Sequence, residues 1–238
     1  MRLSVKIEKI TFTKALTTLL VLDLLMVLLH IVFSENLDLF HLDREQNIPT
    51  IYQSTKLLLA AIILGIHMFV FKFGKVTKGL SLVFWGILFL MIFSLGLDEV
   101  GQIHESIDHH LSQILPDQTE EYKEIYEDIG YKSAPWLLYY IPVFLFAGGI
   151  FFYLIREYLR TKNSTTLFII IGLSFFLLVP LVEYINTNSS LTNPTSYENL
   201  IIVEELFEMV GASILLTTLV LAARNDYEKL SVLSSDGS

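Results

Sequence analysis

Six apolar runs constrain this chain more than any other feature in it. They fall at about 11–33, 55–73, 79–97, 136–155, 165–185 and 199–223. Each is close to the ~20 apolar residues a helix needs to cross the hydrocarbon of a bilayer. The runs are continuous, without the two-residue alternation of barrel strands. In hydrocarbon that leaves helices, which satisfy every backbone N–H and C=O internally. The expectation is an all-α, polytopic transmembrane bundle of six spans, one domain over 1–230 with a short polar tail at 231–238. The first run is not read as a cleaved signal peptide. Its apolar core exceeds the ~7–15 residues of such a segment, and no small-residue cleavage site follows. With 53% hydrophobic and 17% charged residues, the chain is also too apolar for an ordinary soluble domain.

Charge orients the spans. Twelve of the sixteen Lys and Arg residues cluster at one set of helix ends, from Arg2, Lys6, Lys9 and Lys14 through Lys72, Lys75 and Lys78 to Arg156, Arg160, Lys162, Arg224 and Lys229. Only Arg44, Lys56, Lys123 and Lys132 are assigned to the other side. Positive residues mark the cytoplasmic face. Both termini are therefore expected inside, with loops at about 34–54, 98–135 and 186–198 on the extracytoplasmic side. The acids run the opposite way, 19 of 25 lying on the outer side or at outer helix ends. A net charge of −9 argues against nucleic acid as a partner. The absence of cysteine excludes disulfides, thiolate metal sites and thiol catalysis.

The third run ends abruptly in LGLDEVGQIHESIDHH at 95–110. If the helix continues, residues advance ~100° each, and Asp98, Gln102, Glu105 and His109 fall on one stripe. Glu99 lies to one side of it and His104 to the other. A carboxylate and an imidazole one or two turns apart can share a metal ion or a proton. The bland alternative is the wet end of a membrane helix, and it suits Asp108, His109 and His110 better than Asp98, Glu99, His104 and Glu105, which follow hydrocarbon without a polar spacer. The sixth run offers a matching half in NLIIVEELFEMVGASILL. Glu204, Glu205 and Glu208 lie within one turn of each other, flanked by apolar residues. Three carboxylates this close repel unless a cation or a shared proton intervenes. Gly211 and Ala212 follow, small enough to let a second helix approach. Glu183, three residues after Pro180, is expected at the same depth, with an ordinary interfacial acid as the equal alternative.

The first outer loop contains FHLDREQNIPTIYQS at 40–54. Asp43, Glu45 and Asn47 could fold back over a site between helix ends, or simply cap the second helix ahead of Pro49. His30 and His67, inside apolar runs, read as packed or hydrogen-bonded residues rather than ligands. The acidic run DQTEEYKEIYED at 117–128 reads as a solvated face.

The elements DREQNIPTIYQS, LDEVGQIHE and EELFEMVGASILL together resemble an uncharacterised group of prokaryotic multipass integral membrane proteins with E-x-N-x-P-T, D-E-x4-H-E and E-E-x2-E elements in the same order. The resemblance implies that Glu45, Asn47, Asp98, Glu99, His104, Glu105, Glu204, Glu205 and Glu208 belong to one site. It implies no activity.

The chemistry expected of such a site is metal-dependent. Asp98, Glu99, His104, Glu105, Glu205 and Glu208 are the candidate ligands, with Glu45, Asn47, His109 and Glu183 as outlying candidates. Glu99 and Glu204 are the candidate catalytic carboxylates. A divalent ion is expected, zinc first, with iron, manganese or calcium as alternatives. Zinc held by His and carboxylates could activate water against a lipid or lipid-borne substrate at the outer leaflet. The Glu-x-x-His pairs of di-iron bundles are missing, as are G-x-S-x-G, P-loop, Rossmann and H-E-x-x-H patterns. The alternatives are a proton- or cation-coupled transporter and a non-catalytic membrane subunit. A transporter should carry polar residues inward along its spans. The inner halves of the spans are almost uniformly apolar, with Asp23 the main exception, and that favours the enzyme.

Overall fold

The computed structural model describes residues 2–34, 37–42, 47–72, 82–101, 103, 106, 141–190 and 194–235. Among these there are six long helices and no strand: α1 (Arg2–Phe33), α2 (Ile48–Lys72), α3 (Leu82–Gly101), α4 (Ile141–Thr161), α5 (Ser164–Ser190) and α6 (Pro194–Ser235). A single 3-10 turn, Asp38–Phe40, sits in the α1–α2 connection. Five of the six helices are long and apolar enough to cross a membrane. The exception is α4, which carries Arg156, Glu157 and Arg160 in its last two turns. The architecture is the all-helical membrane bundle read from the sequence.

The two outer faces and the interior separate by helical period. In α1, Val21, Leu24, Leu28 and Ile31 are exposed along one stripe, whereas Asp23 and Val27, one turn apart, are buried. In α2, Ile51, Leu59, Ile62, Ile66 and Phe69 face outward, and Gln53, Lys56, Leu57, Ala60, Ala61 and Leu64 face inward. Exposed apolar stripes of this kind are the lipid-facing surfaces of a membrane bundle. α6 differs, because Met209, residues 211–215 and residues 217–219 are buried almost all the way around. A helix covered on every side is the central one. It packs against α5, α2 and α1; α3 packs on α2, and α4 on α5.

Small residues set two of these contacts. A methyl group added at Gly211 would lie 3.0 Å from the Gly172 carbonyl oxygen and 2.8 Å from the Phe176 ring, so α5 and α6 touch backbone to backbone. At Gly96 the same test meets Leu57 and Leu58 at 3.1 Å, and Ser54 Oγ donates to the Gly96 carbonyl at 2.7 Å. That approach fixes the end of α3 against the start of α2, one turn before Asp98 and Glu99. The α4–α5 link is only two residues long. Lys162 takes a left-handed φ of 53° to end α4, and Asn163 Oδ1 accepts the Thr165 N–H at 2.9 Å to begin α5.

Candidate functional site

Two polar groups lie inside this apolar bundle, one above the other along α2. The first joins three helices at Gln53. Its amide Nε2 donates to Glu99 Oε1 of α3 at 3.0 Å and, more closely still, to Glu208 Oε2 of α6. One amide nitrogen thereby brings the Glu99 and Glu208 carboxyl groups together. Two carboxylates in such contact repel unless a proton or a cation lies between them. Gln53 is 1% exposed, and its other amide atom, Oε1, is buried with no hydrogen-bond partner among the described residues.

The second group begins one helical turn further along α2. Lys56 Nζ donates to Asp23 Oδ1 of α1 at 2.6 Å, to the Met209 carbonyl of α6 at 2.9 Å and to Ser213 Oγ at 3.1 Å. All three ammonium protons are thereby used. Asp23 in turn accepts from Tyr52 O–H at 2.9 Å and from Ser213 O–H at 2.7 Å. The Lys56 ammonium also sits 4.2 Å from the centre of the Tyr52 ring. Burying a charge away from water is tolerable only when it is paired and fully hydrogen-bonded. Both ions here meet that condition. The two groups are contiguous, because Lys56 bonds the carbonyl of Met209, the residue after Glu208.

The sequence-predicted residues distribute as follows. Glu99 and Glu208 are brought together, through α2 rather than by direct packing of α3 on α6, since both helices pack on α2. Glu204 and Glu205 are partly buried in the turn of α6 that precedes Glu208, and Asp98 is partly buried beside Glu99. Asn47 caps α2: its Oδ1 accepts the Thr50 N–H at 2.9 Å, and its amide donates to the His41 carbonyl. Glu45, His104, Glu105 and His109 lie outside the described residues, as does the side chain of Glu183. Among the described residues, no three His, Cys, Asp or Glu side chains are grouped to hold a metal ion. His30 is a structural acceptor, taking the Leu42 N–H on Nδ1 at 3.1 Å. That bond folds the α1–α2 connection back, so that Leu42 packs with Val27, Ile201 and Met209 beside the polar groups.

The sequence reading missed Gln53, Tyr52, Lys56 and Ser213. Lys56 is the clearest correction. It was assigned to the outer-side charges, yet it is a buried partner of Asp23. The available signal was Asp23 itself, since a lone acid within an apolar helix calls for a cation on another helix.

A family model described as Domain of unknown function (DUF8692) matches residues 13–223, a span that contains every residue of both polar groups. No curated protein and no solved structure matches the chain.

Proposed function

The chain belongs to the DUF8692 family, which brings no activity with it, and from the geometry we propose that it is a proton- or cation-coupled membrane transporter. The supporting observation is the Lys56–Asp23 pair. The sequence favoured an enzyme because the spans offered no polar steps inward from the acid cluster. Lys56 and Asp23 supply those steps: Glu99, Gln53 and Glu208 lead through Lys56 to Asp23 and Ser213, on four helices. Buried ionisable residues that pair inside a bundle mark proton and ion pathways in membrane proteins. Glu99 and Glu208 form the exchange site in this reading. The Lys56 ammonium senses their charge from below, and Asp23 holds it there. The expected metal-dependent hydrolase draws on Asp98, Glu99, His104, Glu105, Glu205 and Glu208, of which His104 and Glu105 lie outside the described residues, and no three His, Cys, Asp or Glu side chains among the described residues are grouped to hold a metal ion.

Reconstituted liposomes carrying a trapped pH-sensitive dye test the reading. Gradients of Na⁺, Mg²⁺, Ca²⁺ and Mn²⁺ are imposed one at a time across the membrane. At least one should move protons faster than in empty vesicles, and Glu208→Gln and Lys56→Met should remove the excess. If every cation leaves the dye at the empty-vesicle rate, the coupled-transport reading fails.

A further inference from the structure

Gln53 is the least expected member of the upper group. Its carboxamide is buried among carboxylates, offers its nitrogen to two of them, and leaves its oxygen without a donor. A buried carbonyl oxygen without a partner is uncommon, and such groups mark ligands or strain more often than chance. An amide has a second orientation. A half-turn about its last side-chain bond exchanges oxygen and nitrogen with little change of shape. In that orientation Oε1 would point where Nε2 now points, between Glu99 on α3 and Glu208 on α6.

We infer that Gln53, Glu99 and Glu208 form a binding site for a hard divalent cation of the magnesium, calcium and manganese class. The inference rests on the coupled-transport reading and names the ion it carries. Three observations bear on it together. Among the described residues the donor set is oxygen only, two carboxylates and a carboxamide, which suits hard cations better than zinc, whose preferred ligands are imidazole and thiolate. The two carboxylates carry the charge one divalent ion neutralises. The neighbouring Lys56 is already committed to Asp23, the Met209 carbonyl and Ser213, so it does not fill the site. Glu204 and Glu205 are partly buried on the preceding turn of α6.

The same three side chains then serve two states. In the orientation seen here, the Gln53 N–H group is turned toward both carboxyl groups. When the cation enters, the amide turns its oxygen to the ion.

The test uses the full chain in detergent and Mn²⁺ alone, followed by the loss of its free spin-resonance signal. The wild type should bind Mn²⁺. Glu99→Gln and Glu208→Gln should each weaken binding by ~100-fold and Gln53→Leu by ~10-fold, the scale of losses at metal sites. Gln53→Glu, which keeps an oxygen there, should restore it. Mn²⁺ binding unaffected by Gln53→Leu, or retained in both carboxylate variants, overturns the site. Should the variants fail to fold, infrared difference spectra of the wild type decide. Mn²⁺ must shift carboxylate bands, and a spectrum without that shift also overturns the site. Mn²⁺ binding without proton movement in liposomes keeps this site and removes the transport reading. Proton movement without Mn²⁺ binding does the reverse.

Discussion

Lys56 Nζ lies 2.6 Å from Asp23 Oδ1, 33 positions away in the chain, and the two side chains are 3% and 0% exposed. Nothing in hydrocarbon rewards an isolated charge, so each ion is there because of the other. Removing one partner leaves the second uncompensated, which costs about 3–5 kcal/mol for buried pairs. Asp23→Asn and Lys56→Met should each lower stability by that order in detergent unfolding. The double variant Asp23→Leu/Lys56→Met should recover most of the loss, since an apolar replacement strands no charge. If the double variant falls by the sum of the singles, the two residues do not act as a pair. The liposome assay then separates packing from function. A double variant that is stable but moves no protons assigns the pair a role in coupling, and one that still moves them makes it a packing device.

The contact of α5 with α6 gives a second expectation. Helix propensity alone favours Gly→Ala by about 1 kcal/mol. At Gly172 and Gly211, however, the new methyl would lie 2.8 Å from Leu215 and Phe176 and 3.0–3.2 Å from the facing carbonyl oxygens. Overpacking of this kind costs about 1–3 kcal/mol, so the clash should outweigh the propensity gain. Gly148 and Gly149 on α4 are the controls, because a methyl there meets nothing within 4 Å among the described residues. Their alanine variants should be neutral or slightly stabilising, whereas Gly172→Ala and Gly211→Ala should lower the unfolding temperature. Equal behaviour of the two pairs would show that α5 and α6 do not approach this closely.

How far the sequence reaches can be judged from these same residues. The helices are legible because hydrocarbon demands ~20 apolar residues in a row, a local property. Glu99 and Glu208 are legible for the related reason that each adjoins apolar sequence without a spacer. Gln53 and Lys56 are not, because α2 opens with a polar turn and a lysine eight positions into it reads as interfacial. Its partner lies on another helix, and pairing between helices is a tertiary fact that no periodicity within one run contains. The route from Glu99 to Glu208 through Gln53 of α2 escaped for the same reason.

The start of α2 carries a third prediction. Asn47 accepts the Thr50 N–H with Oδ1 and donates its amide to the His41 carbonyl, tying the α1–α2 connection to the helix it precedes. Loss of an N-cap costs about 0.5–2 kcal/mol. Asn47→Ala should show that loss in full plus the bond to His41. Asn47→Asp should keep the cap, lose only the donated bond, and fall between Ala and wild type in unfolding temperature. Asp and Ala variants of equal stability would mean that the cap contributes nothing and the His41 bond everything.

The orientation of the bundle is the last prediction, and the buried lysine strengthens it. Positive residues near helix ends set orientation, but a lysine neutralised inside the bundle does not belong in that count. With Lys56 held by Asp23, the side assigned as outer keeps only Arg44, Lys123 and Lys132 against twelve on the other. Because the chain has no cysteine, single cysteines can be placed without background. Val76→Cys falls in the connection between α2 and α3, and Glu120→Cys in that between α3 and α4, both outside the described residues. A membrane-impermeant maleimide added to intact cells should label Glu120→Cys and spare Val76→Cys until the membrane is opened. Labelling at position 76 alone would turn the bundle over. The Gln53, Glu99 and Glu208 end would then open to the cytoplasm, so a cation added outside intact cells would reach those carboxylates only after passing the Asp23–Lys56 pair.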